Sequence, residues 1–216
     1  MKNILIFGDS YSTYEGYIPD GYRTYYSAQG RTEGPAVTKM KVEETWWKQV
    51  VTLIGGKLLL NNSWSGSTIG YTGYDGDCSK SSSFIYRFRK LKEENFFEKN
   101  VVDMVLVFGG TNDGWSEAPL GEMKLSEWEE NDLYFVQPAI CHFMSTLKKE
   151  LPNAEIYFLI NTELKLEIEN CIKKAGVYYN VETIALKDIE KEYGHPNVAG
   201  MKTICKQVLS VIAKQR

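Results

Sequence analysis

Ile4-Leu5-Ile6-Phe7-Gly8-Asp9-Ser10 lies almost at the N-terminus and carries the strongest signal in the chain. Four large apolar residues run without alternation and stop at a glycine. An uninterrupted apolar run of this length reads as a strand buried on both faces, as in a parallel sheet. The glycine marks a tight turn. In open α/β sheets, ligands bind just beyond the carboxyl ends of the strands. Ser10 therefore stands where a reacting atom would sit.

Outward from this stretch, the same form recurs. Apolar strands are predicted at residues 3–7, 57–61, 104–108, 156–160 and 181–186. Helices are predicted between them. Residues 43–54 carry Trp46, Trp47, Val50, Val51 and Ile54 at helical spacing, and residues 82–92 carry Phe84, Ile85, Phe88 and Leu91. Residues 132–151 turn Phe135, Ile140, Phe143, Met144 and Leu147 inward, and residues 164–175 and 198–214 complete the set. Strands alternating with helices imply an α/β fold: a parallel sheet of about five strands with helices on both faces. Residues 11–41 are polar, rich in Gly and Tyr, and without period. Loops this long inside a compact domain are usually functional. We find no repeat, linker or low-complexity segment, so residues 1–216 are expected to form a single domain.

Composition narrows the function. The net charge of −3 gives no reason to expect nucleic acid or an anionic membrane as partner. No stretch approaches the roughly 20 apolar residues that span a bilayer. The N-terminus shows no signal peptide, which suggests a cytoplasmic protein unless a signal was removed. Cys78, Cys141, Cys171 and Cys205 form no CxxC pair, so they read as buried or idle thiols, and no metal site is expected. Oligomeric state cannot be read from the sequence.

The chemistry gathers in four segments: Gly8-Asp9-Ser10, the loop with Gly66, Gly109-Gly110-Thr111-Asn112-Asp113, and His195-Pro196-Asn197. The first three follow predicted strands; the fourth precedes the last helix. Acyl transfer by a serine needs a base in hydrogen-bond reach, preorganised donors for the oxyanion, and a group that fixes the base's tautomer. Ser10 is the candidate nucleophile, with helix N-cap as its structural alternative. Of the two histidines, His142 falls inside a predicted helix and reads as a surface or satisfied core residue. His195 lies outside regular structure, and Pro196 suits the start of the following helix. A helix N-terminus disfavours an imidazolium and suits a neutral, proton-accepting ring. Gly66 can bring its N–H close to substrate because it lacks a Cβ. Asn112 offers an amide, and Ser10 its own N–H. Asp9 is expected to shape its turn. Asp9, Tyr11, Trp64, Asp113 and Trp115 are candidates for the substrate pocket.

This set resembles the SGNH hydrolases, also called the GDSL family. Their four blocks supply a serine in Gly-Asp-Ser, a glycine, an asparagine in Gly-x-Asn-Asp, and a histidine near the C-terminus. Here these are Ser10, Gly66, Asn112 and His195, spread over nearly the whole chain. The resemblance implies a flavodoxin-like three-layer α/β/α sandwich and ester hydrolysis through an acyl-enzyme, without metal or cofactor. The family usually has an aspartate three residues before the histidine; here that position is Glu192. Glutamate can still accept from the imidazole Nδ1–H. Glu190 and Asp188 are alternative third members, and a Ser-His dyad helped by a backbone carbonyl is another.

The expected function is a serine esterase acting on small or carbohydrate-borne acyl esters. The polar, aromatic character of residues 11–41 and 67–77 favours such groups over long lipid chains. The alternative is a non-catalytic carbohydrate-binding module, with Trp64 and Trp115 stacking on sugar faces.

Overall fold

In a computed structural model, which describes residues 1–30 and 39–215, the chain builds a five-stranded parallel sheet between two layers of helices. In chain order the elements are β1 (Asn3–Gly8), α1 (Trp46–Leu53), β2 (Lys57–Ser63), β3 (Thr72–Gly73), β4 (Gly76–Asp77), α2 (Phe84–Glu93), α3 (Phe96–Lys99), β5 (Met104–Phe108), α4 (Thr111–Trp115), α5 (Val136–Glu150), β6 (Glu155–Ile160), α6 (Leu166–Tyr179), β7 (Glu182–Ala185), β8 (Lys191–Glu192), β9 (His195–Pro196) and α7 (Val198–Ile212). The sheet order is β2-β1-β5-β6-β7. Counting the sheet strands alone, that is 2-1-3-4-5, the flavodoxin-like order.

Period-2 alternation divides each strand between two cores. Leu5 and Phe7 of β1, with Val105 and Val107 of β5, face Phe84, Phe88, Phe143 and Ile172 on α2, α5 and α6. Ile4 and Ile6, with Leu106 and Phe108, face Trp46, Trp47, Val50, Ile204 and Val208 on α1 and α7. Each fully buried large apolar side chain of this kind adds roughly 1.5–3 kcal/mol of transfer free energy.

Two expectations shift. A 3₁₀ turn covers Glu130–Tyr134, and α5 begins only at Val136, with Phe135 extended at φ −105° and ψ 139°. Phe135 is therefore 40% exposed rather than inward. Helix α6 runs a turn beyond its predicted end, to Tyr179, where Asn180 takes the left-handed conformation at φ 54°. Asparagine tolerates that conformation and stops helices this way. The predicted loop 11–41 is flanked by short 3₁₀ turns at Ser10–Ser12 and Val42–Glu44; its residues 31–38 lie outside the described residues.

Candidate active site

The sheet order reverses between β1 and β5, so the crevice at their carboxyl ends is the natural binding place. Gly8 ends β1 there. A Cβ at Gly8 would lie 2.5 Å from the Ser12 side chain and 2.6 Å from Ser63 Oγ, so no larger residue fits. The chain then turns at Asp9, whose Oδ1 accepts from the Tyr11 N–H at 3.0 Å, and Ser10 opens the 3₁₀ turn. Thr13 Oγ1 donates to the Ser10 carbonyl at 3.0 Å and closes that turn.

The histidine arrives from the other end of the chain on a two-residue hairpin. Strands β8 and β9 pair antiparallel, with Glu192 opposite His195. The turn residues Tyr193 and Gly194 both have positive φ, 52° and 76°, as a type I′ turn demands. Tyrosine hydroxyls pin the hairpin. Tyr11 donates to the Gly194 carbonyl at 2.5 Å, and Tyr26 donates to the Pro196 carbonyl at 2.8 Å. His195 Nε2 then lies 2.9 Å from Ser10 Oγ, and Nδ1 lies 3.1 Å from the Tyr193 carbonyl. The Tyr25 ring stacks on the imidazole, with centroids 3.7 Å apart and planes 9° apart. Pro196 sits in β9 and not at the start of the helix. Asn197 is the N-cap of α7, its side chain accepting from the Gly200 N–H at 2.9 Å.

The remaining blocks converge on the same turn. The Trp64 N–H donates to the Gly8 carbonyl at 3.1 Å, and the Asp9 N–H donates to the Phe108 carbonyl at 3.3 Å. Gly66 adopts φ 83°, a conformation side chains resist. Asn112 Nδ2 donates to the Ser67 carbonyl at 2.9 Å, and the Tyr74 hydroxyl donates to Asn112 Oδ1 at 3.3 Å. Asp113 accepts from the Ile69 N–H at 3.0 and 3.1 Å and from the Gly70 N–H at 3.3 Å. Consecutive residues of α4 thus hold the glycine loop against the serine turn.

The acidic candidates separate. Glu192 is exposed, across the hairpin from His195. Glu190 accepts from the Asn197 side-chain amide and, through its carbonyl, from the Asn197 N–H at 3.2 Å, so it braces the start of α7. Asp188 is exposed, with φ 52°. A cavity of about 160 Å³ opens beside Gly66, lined in part by Arg23, Trp64, Ser65, Tyr74 and Asp75. Trp64 lines it. Asp9, Tyr11 and Asp113 do not line it: they are buried behind the site, because their polar atoms close turns instead of meeting solvent. Trp115 is exposed on the other side, edge-on to His195 at 6.1 Å.

Burial perturbs the acids, and Asp9 Oδ2 has no hydrogen-bond partner among the described residues. Desolvation pushes the Asp9 carboxyl up to about 7 and the Asp113 carboxyl up to about 6. His142, half-buried on α5 with its ring edge-on to Trp128, is pushed down to about 4 by desolvation. All four cysteines are free and buried. Among the described residues, no three His, Cys, Asp or Glu side chains gather as they would around a metal ion, and no helix is long and apolar enough to cross a membrane.

Two residues of the site escaped the sequence reading. Arg87 on α2 is fully buried, and its guanidinium donates to the carbonyls of Gly8, Asn62 and Ser82 and to Ser67 Oγ. Its position three residues after Phe84 and four before Leu91 puts it on the inward face, the one signal that could have found it. Tyr25 was visible only as one tyrosine among many.

The profile of the GDSL-like lipase/acylhydrolase family matches residues 2–212. The fold superposes on a protein described as a GDSL-like lipase from Bacteroides ovatus, with 38% identity, a TM-score of 0.89, and 99% of each chain covered. A counterpart from Bacteroides uniformis gives 39% identity and a TM-score of 0.89, covering 99% of this chain and 96% of the other. An acetyl xylan esterase from the rumen bacterium Butyrivibrio proteoclasticus shares the fold at 16% identity and a TM-score of 0.64, covering 99% of this chain and 64% of that one. No curated protein matches.

Proposed function

Because the chain belongs to the GDSL-like lipase/acylhydrolase family, we propose that it is a serine ester hydrolase acting on small or carbohydrate-borne acyl esters. The observation that carries this reading is the 2.9 Å contact between His195 Nε2 and Ser10 Oγ, made across 185 residues of sequence. That distance is within reach for proton transfer. His195 takes the Ser10 proton as Oγ attacks the ester carbonyl. The N–H groups of Ser10 and Gly66 and the Asn112 amide receive the oxyanion. His195 Nε2–H then protonates the leaving alcohol, and the neutral ring activates water to release the acid from Ser10. The Tyr193 carbonyl, at 3.1 Å, accepts the Nδ1–H and fixes the tautomer. Glu192 adds its charge from the solvent side of the hairpin.

The cavity beside Gly66, about 160 Å³, supports a short acyl group. The carbohydrate part of the reading is supported by the polar lining with Trp64 at its edge, and by the fold shared with an esterase of acetyl xylan.

The test is covalent labelling. A fluorophosphonate probe should add one adduct at Ser10, and Ser10→Ala should abolish both the adduct and hydrolysis of p-nitrophenyl acetate while the fold persists. Absence of any adduct in the wild-type protein returns the chain to the binding-module alternative. Faster turnover of a dodecanoyl than an acetyl ester overturns the short-acyl part alone.

A further inference from the structure

We propose that Tyr25 is a positioning residue for His195, holding the imidazole in the plane that Ser10 requires and stabilising its protonated form. The inference rests on the esterase reading and adds to it a part that no motif carries.

Three observations point the same way. The imidazole is held at its two nitrogens, Nε2 to Ser10 Oγ at 2.9 Å and Nδ1 to the Tyr193 carbonyl at 3.1 Å. Contacts at the two ring nitrogens do not by themselves resist tilting about the line that joins those nitrogens. The Tyr25 ring lies on one face, 9° from parallel at 3.7 Å, and blocks that motion while leaving both nitrogens open. The Tyr11 edge, at 5.1 Å and 65°, stands against the same ring from another side.

The second observation is where Tyr25 is anchored. Its N–H donates to Thr13 Oγ1 at 2.9 Å, and that hydroxyl donates to the Ser10 carbonyl at 3.0 Å. The stacking residue therefore hangs from the turn that carries the nucleophile. Its neighbour Tyr26 bonds the Pro196 carbonyl at 2.8 Å, next to the histidine. The pair Tyr25-Tyr26 clamps the pair His195-Pro196, and the clamp is tied to the turn that carries Ser10.

The third is electrostatic. An aromatic face attracts a cation through its quadrupole. When Ser10 gives up its proton, the imidazole becomes a cation against the Tyr25 face, so the attraction grows along the reaction coordinate. Among the described residues, Ser10 and Tyr11 on the first turn and Lys191, Glu192 and Tyr193 on the hairpin stand around the ring. Lys191 sits 5.8 Å over the Tyr11 ring and pairs with Glu163 at 3.2 Å.

The experiment compares Tyr25→Phe with Tyr25→Leu. The chain has only two histidines, so imidazole ¹⁵N NMR follows the His195 titration directly, without any turnover. Leu keeps the face covered and removes the π system; Phe keeps both. Tyr25→Leu should lower the His195 midpoint by roughly half a unit to one unit and cut kcat about three- to tenfold with KM unchanged, the span expected of a partly exposed cation–π contact. Tyr25→Phe should leave the midpoint and kcat within about twofold of wild type. Tyr25→Met, with its flexible chain, replaces Leu if that variant does not fold. An unmoved midpoint and kcat in the aliphatic variant overturns the proposal. So does a Phe variant that behaves like the aliphatic one, which would trace the effect to the hydroxyl. Failure of the esterase reading looks different: wild-type protein would take no fluorophosphonate at Ser10, whatever the His195 midpoint.

Discussion

Asp9 stands next to the proposed nucleophile yet turns away from the cavity. It is fully buried, one oxygen accepts from the Tyr11 N–H, and Oδ2 has no hydrogen-bond partner among the described residues. Desolvation raises its pKa from 3.8 to about 7. A carboxyl raised in the folded state favours folding below its unfolded pKa, and that contribution is lost as pH rises through the folded value. Wild-type stability should therefore carry a component that declines between pH 5 and pH 8. Asp9→Asn should remove about 2 kcal/mol of that decline, as the pKa shift converts. Asp113, raised to about 6, contributes a similar slope that the variant keeps, and His142, lowered to about 4, slopes oppositely below pH 6.5. Urea unfolding of both proteins at pH 5 and pH 8 isolates Asp9 by difference; equal slopes would show that its carboxyl is ionised in the fold. The sequence marked Asp9 as a turn-former but also admitted it to the pocket. The turn was legible because the Asx hydrogen bond is local. The exclusion from the pocket was not, because burial depends on Arg87 and β5, remote in sequence.

At the scale of elements, the hairpin of β8 and β9 is the least legible part of the site. Residues 187–192 look like a solvated acidic run, and two-residue strands have no period to detect. What fixes the hairpin is a turn with two positive φ values, one of them at Tyr193. A tyrosine there is strained, since left-handed conformations disfavour a Cβ, whereas asparagine before glycine is the preferred pair. Tyr193→Asn should raise stability by about 0.5–1 kcal/mol. It should leave kcat/KM unchanged, because the His195 Nδ1 contact uses the Tyr193 carbonyl and the ring is 61% exposed. Thermal unfolding with steady-state assays reads both. A tenfold loss of activity would mean that the ring itself takes part. The helices, by contrast, were legible wherever one apolar face repeats, as at Trp46, Trp47, Val50 and Val51. They failed at Phe135, where the 3₁₀ turn before α5 rotates the side chain outward.

Across the whole molecule, alternating strands and helices announced the layers, but spacing alone does not give a sheet order. The order decides which loops meet, and Arg87 shows what the meeting requires. Two strand ends and a residue ahead of α2 present carbonyls, and the glycine loop a hydroxyl, around one buried side chain. The guanidinium supplies the donors: Nη2 reaches the Gly8 carbonyl at 3.3 Å and Ser67 Oγ at 3.0 Å, Nε reaches the Ser82 carbonyl at 2.9 Å, and Nη1 bonds the Asn62 carbonyl. The Phe84 ring, 4.5 Å away, covers it. Burial lowers its pKa to about 10, which still leaves it charged at neutral pH. Arg87→Met fills the volume but removes the guanidinium donors to the Asn62 and Ser82 carbonyls, leaves the Gly8 carbonyl with the Trp64 N–H, and removes a cation that acts on Asp9, so it should cost about 3–5 kcal/mol of stability. Arg87→Lys should recover little, because one ammonium lacks the planar fork that spans several carbonyls. Urea midpoints of the three proteins decide between this account and mere space-filling: if Met is tolerated within about 1 kcal/mol, the carbonyls find other donors and the residue is dispensable packing. If Met fails and Lys fails with it, the fork is what lets β1, β2 and the glycine loop end together under Ser10.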